Sequence, residues 1–117
     1  MEAIQKLEQA LLLIQEELGD ITIQQLLMLI YIANNEGCPQ IEISTALDMP
    51  EPTVSRNIAK LGAKRIRIKG LDGQVRYKKG QNLLSKKVDD NWDVRRNVIS
   101  LSRKGQAFIQ RLQRKLE

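Results

Sequence analysis

The stretch from Ile43 to Leu61, I-S-T-A-L-D-M-P-E-P-T-V-S-R-N-I-A-K-L, decides how this chain is read. A short helix, about Pro39 to Leu47, ends at the tight turn Asp48-Met49-Pro50. The helix that follows, about Glu51 to Leu61, carries Val54, Ile58 and Leu61 inward. Pro52 is tolerated in its first turn, where amides have no intrahelical acceptor, and Gly62 can end it. Thr53, Ser55, Arg56, Asn57, Lys60 and Lys64 are left facing out. This is the pattern of a helix-turn-helix, whose second helix enters the major groove of DNA. Arg can bridge guanine, Asn can bridge adenine, and Thr can meet a thymine methyl or a phosphate. A solvent-exposed helix could carry the same residues, so their weight comes from their position after the turn and ahead of a basic segment.

Charge is segregated along the chain. Through Glu51 there is one basic residue, Lys6, against nine acids; from Pro52 onward eighteen Lys and Arg face five acids. One half is suited to a polyanion and the other is not. The 117 residues suit a single domain, 1–117, and with few aromatics its core must be Leu and Ile. A lone Cys38 excludes an internal disulfide, and the absence of His removes Ser-His-Asp and Cys-His pairs and His metal sites. No Gly-rich phosphate loop is present, so neither an enzyme nor a cofactor is expected. There is no cleavable signal pattern and no apolar run of membrane-spanning length, so a cytoplasmic location is expected.

Upstream, residues 1–18 read as a helix with Ile4, Leu7, Leu11, Ile14 and Leu18 at the alternating three- and four-residue spacing of a helix-pairing seam. So wide a stripe can bury itself in its own domain or in a second subunit, and a dimer is the favoured reading. Thr22 and Gln25 form a capping-box signature. The helix they start, about Ile23 to Ala33, is apolar nearly all round, which predicts full burial. Cys38 falls in the loop that follows; a redox-sensing thiol is one reading and an ordinary loop cysteine the other.

Downstream, residues 64–79 alternate Ile66 and Ile68 with Arg65, Arg67 and Lys69, then Val75 and Tyr77 with Arg76 and Lys78, around Leu71-Asp72-Gly73. This reads as a β-hairpin with one basic face, or as a basic loop that orders on DNA. Here Arg65, Arg67, Arg76, Lys78 and Lys79 are candidate DNA contacts. A second hairpin, 82–88 and 97–101, flanks an acidic tip followed by Arg95 and Arg96; it adds Lys86 and Lys87 to the basic set. Arginines at such a tip suit the minor groove, although they can instead pair with the tip aspartates. Trp92 either anchors that tip or stacks on DNA. Ser102 caps a last helix to about Leu116, with Phe108, Leu112 and Leu116 on one side.

The order helix, helix, helix-turn-helix, strand-tip-strand, helix resembles the multiple-antibiotic-resistance regulator (MarR) family. The likeness is carried by I-T-I-Q-Q-L-L-M-L-I (21–30), the 47–61 stretch, N-L-L-S-K-K-V-D-D-N-W-D-V-R-R (82–96) and V-I-S-L-S-R-K-G (98–105). It implies a mainly α fold with a small β wing, a winged helix-turn-helix. By that resemblance, Asp93 orients Arg95 or Arg96 for the minor groove, and terminal helices of two subunits interleave. Ile4, Leu7, Leu11, Ile14, Leu18, Phe108, Leu112 and Leu116 would then line a dimer interface. Three features depart from the pattern: the basic segment between Leu61 and Leu83, a shorter C-terminal helical region, and Asp48 where such turns often have Gly.

The expected function is a homodimeric regulator of transcription that reads an inverted repeat in double-stranded DNA. The alternatives are a less specific DNA binder of phage or plasmid replication, segregation or packaging, and a winged-helix module that binds protein. The near absence of aromatics and the lack of His leave no effector pocket to nominate.

Overall fold

The computed structural model describes residues 1–62, 65–89 and 96–117, and for 65–69, 75–79, 89 and 96 it describes backbone and register. Among the described residues, five helices and five strands follow in the order α1 (Glu2–Leu18), α2 (Ile23–Asn34), β1 (Cys38–Pro39), α3 (Gln40–Leu47), α4 (Glu51–Leu61), β2 (Arg65–Lys69), β3 (Val75–Lys79), β4 (Leu84–Asp89), β5 (Arg96–Leu101) and α5 (Arg103–Leu116).

Helix α2 starts where its caps dictate. Thr22 Oγ1 accepts from the Gln25 amide at 3.1 Å, and the Thr22 amide donates back to Gln25 Oε1 at 3.1 Å. Two first-turn donors that would otherwise lack partners are thereby satisfied. Met28, Leu29 and Ile32 are fully buried. The expected burial on all sides does not hold: Ile23 is 84% exposed, and Leu27 and Ile30 lie beside it on one open stripe. Helix α2 packs one side onto α3, α4 and β5, and this second side is left over.

Pro39 was expected inside the next helix. It is instead the N-cap of α3 and the second residue of a short strand, at φ −64° and ψ 145°. Cys38 pairs with Ile99 and Pro39 with Val98. The turn before it is sewn to the same strand: the Gly37 amide donates to the Ile99 carbonyl, and the Leu101 amide to Glu36 Oε1. The result is a three-stranded antiparallel sheet in the order β1-β5-β4.

Between α3 and α4 the chain reverses at Asp48, which takes the left-handed conformation at φ 51° and ψ 51°. Asp tolerates that region better than most side chains do, so Gly is not required there. The Met49 amide donates to the Ser44 carbonyl at 3.0 Å, Ser44 Oγ donates to the Met49 carbonyl, and Met49 itself is buried. The turn thus has its own hydrogen bonds and a core anchor.

The C-terminal carbonyls of α4 have no acceptor role within the helix. The returning chain satisfies them: the amides of Gln81, Leu83 and Asn82 donate to the carbonyls of Lys60, Leu61 and Gly62 at 2.9, 2.7 and 3.0 Å. The chain therefore leaves the domain after Gly62 and re-enters it at Gln81 beside the same point. The strands between, β2 and β3, form a separate two-stranded antiparallel sheet.

Ser102 joins the wing to α5. Its Oγ accepts from the Gly105 amide at 3.0 Å and donates to the Asn82 carbonyl at 2.6 Å. Gly105 is buried against the Leu83 carbonyl, and a Cβ there would overlap that oxygen. This close approach is the physical reason for a glycine at this strand-to-helix junction.

Helix α1 packs along α5 through Ala10, Ile14 and Leu18, with Arg111 Nε donating to Glu17 Oε2 at 3.0 Å. Phe108 and Leu112 join the same core cluster as Met28, Ile43, Val54, Ile58, Leu83 and Ile99. Four residues expected at a dimer interface, Ile14, Leu18, Phe108 and Leu112, are thus interior residues of one subunit. The seam divides along its length. Lys115, near the end of α5, borders a cleft with Leu12 and Leu13, so the first turns of α1 run past α5. There Ile4 and Leu7 stay exposed, as do Leu11 and, on α5, Leu116.

Candidate nucleic-acid interface

Helix α4 presents its polar side as the exterior of a buried core stripe. Val54, Ile58 and Leu61 are buried, and opposite them Arg56 and Lys60 stand one turn apart, both exposed. Neither has an ion-pair partner among the described residues. Ser55 is exposed and Thr53 half-buried. Two adjacent cations without partners, held by a helix whose other side is fixed in the core, present charge at a defined spacing to a polyanion.

Asn57 is not part of that surface. It is only 7% exposed, and its Oδ1 accepts from Gln25 Nε2 at 3.3 Å. At 100° per residue it lies roughly 65° from the centre of the core stripe, against roughly 165° for Arg56. That smaller angle is the signal that could have placed it inside. A buried amide needs a partner, and Gln25 is already positioned by the α2 capping box. Asn57 therefore ties the base-reading candidate helix to α2 and lies inside the domain, not on the exposed stripe where it was expected.

The wing lies beside this face. Lys86 and Lys87 are exposed on β4. With Ser55 and Ala59 of α4, the cap residue Ser102 and Arg103 of α5 they line an open groove of about 800 Å³. Arg103 was not among the expected contacts; its only sequence signal is its place directly after the helix cap. Lys104, next to it, is occupied structurally, with Nζ on the Gln81 carbonyl at 3.0 Å. Lys64, Asp93 and Arg95 lie outside the described residues, as does Trp92. Arg96 opens β5, paired with Asp89.

The basic segment does form a hairpin, but not with one basic face. The register pairs Arg65 with Lys79, Arg67 with Tyr77 and Lys69 with Val75; Ile66 pairs with Lys78, and Ile68 with Arg76. Directly paired residues share a face. Arg65, Arg67, Lys69 and Lys79 therefore share one face with Tyr77, while Lys78 and Arg76 share the other with the two isoleucines. The cause is the loop. Gly70 and Gln74 close it with a hydrogen bond of 2.9 Å, and Gly73 takes φ 79°. The three residues between them, where a two-residue turn would leave one fewer, shift the register by one and move each residue of β3 to the opposite partner set.

Cys38 is buried in β1. Burial pushes its thiol up from the usual range, the Glu42 carboxylate adds to the rise, and a backbone hydrogen bond partly opposes it. A protonated, buried thiol is a poor nucleophile, which argues against redox sensing. Alkylation of the folded protein at neutral pH should be at least about tenfold slower than that of the urea-unfolded chain; equal rates would mean that the thiol is accessible and reactive.

A model of the MarR family matches residues 19–66, the segment that holds α2, β1, α3 and α4. A search of curated proteins by sequence finds no match. Among solved structures, a crystal structure of MarR superposes with a TM-score of 0.59 at 19% identity, covering 94% of this chain and 69% of that one. The family match spans the helix-turn-helix, and the spatial match extends through the sheet and α5. With the motif similar in sequence to the MarR family over residues 19–66 and the architecture matched in space, the chain has a winged helix-turn-helix fold of the MarR type.

Proposed function

We propose that the protein is a DNA-binding regulator of transcription that acts as a homodimer on an inverted repeat. Its recognition helix α4 enters the major groove and its wing follows the minor groove. One observation carries this reading: Arg56 and Lys60 stand exposed, without described partners, on a helix whose opposite side is locked into the core. Thr53 and Ser55 flank them. Lys86 and Lys87 supply phosphate contacts from the wing, and Asp93 orients Arg95 or Arg96 at its tip.

Dimerisation rests on Ile4, Leu7, Leu11 and Leu116, the half of the terminal-helix stripe that the subunit leaves open. Burying each such side chain fully is worth about 1.5–3 kcal/mol, so four on each subunit, even partly covered, favour pairing. Two recognition helices would then meet major grooves about 10–10.5 base pairs apart.

The test is selection of bound duplexes from a random pool, with stoichiometry measured on the selected site. Two subunits on two discrete half-sites are expected; protection that spreads along any duplex would favour a less specific packaging role. Within the selected site, Arg56→Ala should weaken binding by about 1–3 kcal/mol and relax preference at one base pair. Asn57→Ala should leave base preference unchanged and lower folding stability by about 1 kcal/mol through the lost Gln25 contact. If Asn57→Ala relaxes base preference instead, its assignment to the interior is wrong.

A further inference from the structure

The hairpin β2–β3 is a two-stranded sheet of its own, with β2 next to α4. Its tip is in solvent: Leu71 is fully exposed, and Asp72, Gly73 and Gln74 are exposed beside it. Its base is held firmly. Gly80 lies so close to the Gly62 carbonyl that a Cβ would overlap it, and only glycine permits that approach. Gln81 joins three helices there: its amide donates to the Lys60 carbonyl, its Nε2 to the Leu18 carbonyl, and its own carbonyl accepts from Lys104 Nζ. An arm with a solvent-exposed tip thus rises from a fixed base at the C-terminal end of the recognition helix.

A two-stranded ribbon left alone in water is marginally stable at best. This one carries six cations in its ten strand residues, against a single aspartate at its tip. Four of the cations and Tyr77 share one face by register. A two-stranded ribbon is also of a width that the DNA major groove admits.

We propose that the hairpin is a second DNA-reading element, a β-ribbon that lays its Arg65–Arg67–Lys69–Tyr77–Lys79 face along the duplex next to the base pairs under α4. The proposal rests on the DNA-binding reading above and adds to it an element that lies almost wholly outside the family match, which ends at residue 66. Strands of five residues at about 3.3 Å each extend about 17 Å, the length of about five base pairs at 3.4 Å per step. Each half-site is therefore read over a helix-sized core and a ribbon-sized flank.

Hydroxyl-radical footprinting on the selected duplex tests it, with four proteins compared. One is the full chain. The second lacks residues 64–79, so that Ala63 joins Gly80 across a base where Gly62 and Gly80 already touch. The third keeps the ribbon but carries R65Q, R67Q, K69Q and K79Q. The deletion should keep protection under α4 and lose about five base pairs of protection beside each half-site. The four-fold variant should lose the same flank and lower the salt slope of binding by up to about 0.9 for each phosphate contact removed. R76Q with K78Q, on the other face, should retain the flank. A full chain that protects no duplex would defeat the DNA-binding reading and the ribbon with it. Unchanged flanks in either ribbon variant, with half-sites still protected, would defeat the ribbon alone; loss of the flank in R76Q/K78Q would overturn the assignment of the face.

Discussion

Phe108→Ala is expected to cost about 3–5 kcal/mol of folding stability, the range for deleting a fully buried aromatic side chain. Phe108 is 1% exposed and belongs to the cluster that joins α5 to the helix-turn-helix and the sheet. A domain of this size has a net stability of about 5–15 kcal/mol, so the substitution removes about a fifth of it or more. Denaturant titration followed by far-ultraviolet dichroism measures the loss. Leu116→Ala, from the same helix stripe but 49% exposed, is the comparison, and should cost far less in the isolated subunit. If the two cost the same, Phe108 is not the interior residue described here. The pair also separates the two roles first assigned to a single stripe: Phe108 should act on folding at any protein concentration, and Leu116 on pairing between subunits.

The second large effect is on DNA affinity, and salt is its lever. Neutralising six to ten phosphates releases their counterions, and affinity then falls roughly 1,000- to 100,000-fold between about 50 and 200 mM salt. A dimer that places Lys60, Lys86 and Lys87 of each subunit on the backbone makes about six such contacts, the lower end of that range, before any contribution from the hairpin. Of the nineteen Lys and Arg, eighteen follow Pro52, so the acidic half can face away from the duplex. Fluorescence anisotropy across a salt series gives the slope directly. A slope near zero would mean that the basic half does not meet phosphate, and would favour a module that binds another protein.

Much of this molecule is legible in its local sequence. Thr22 and Gln25 announce the start of α2, and the observed capping box is that pair in reciprocal hydrogen bonds. Val54, Ile58 and Leu61 orient α4, because a 3.6-residue period leaves one consistent inward stripe. The L-S-R-K-G junction is legible too, and the structure supplies its reason in the contact between Gly105 and Leu83. What was not legible concerns residues at the margin of a stripe or dependent on a distant partner. Asn57 is polar and stands next to the core stripe, and it is interior only because Gln25, far away in the chain, meets it there. Cys38 and Pro39 became a strand because β5 offers them a ladder some sixty residues later. No local propensity marks a two-residue strand that begins with Cys and ends in Pro.

The terminal stripe and the basic hairpin show the same division in function. Sequence alone determined that residues 1–18 carry a helix-pairing seam and that residues 64–79 alternate cations with apolar residues, since both follow from periods of 3.6 and 2. Only the tertiary structure decided that α5 covers the later part of the seam, leaving Ile4, Leu7 and Leu11 exposed. It alone decided which cations of the hairpin share a face, because one more residue in the loop reverses every pairing. A period is a property of the local chain, whereas coverage and register are relations between segments. That is why the helix-turn-helix at 43–61 could be read from its own residues, and the surfaces that surround it could not.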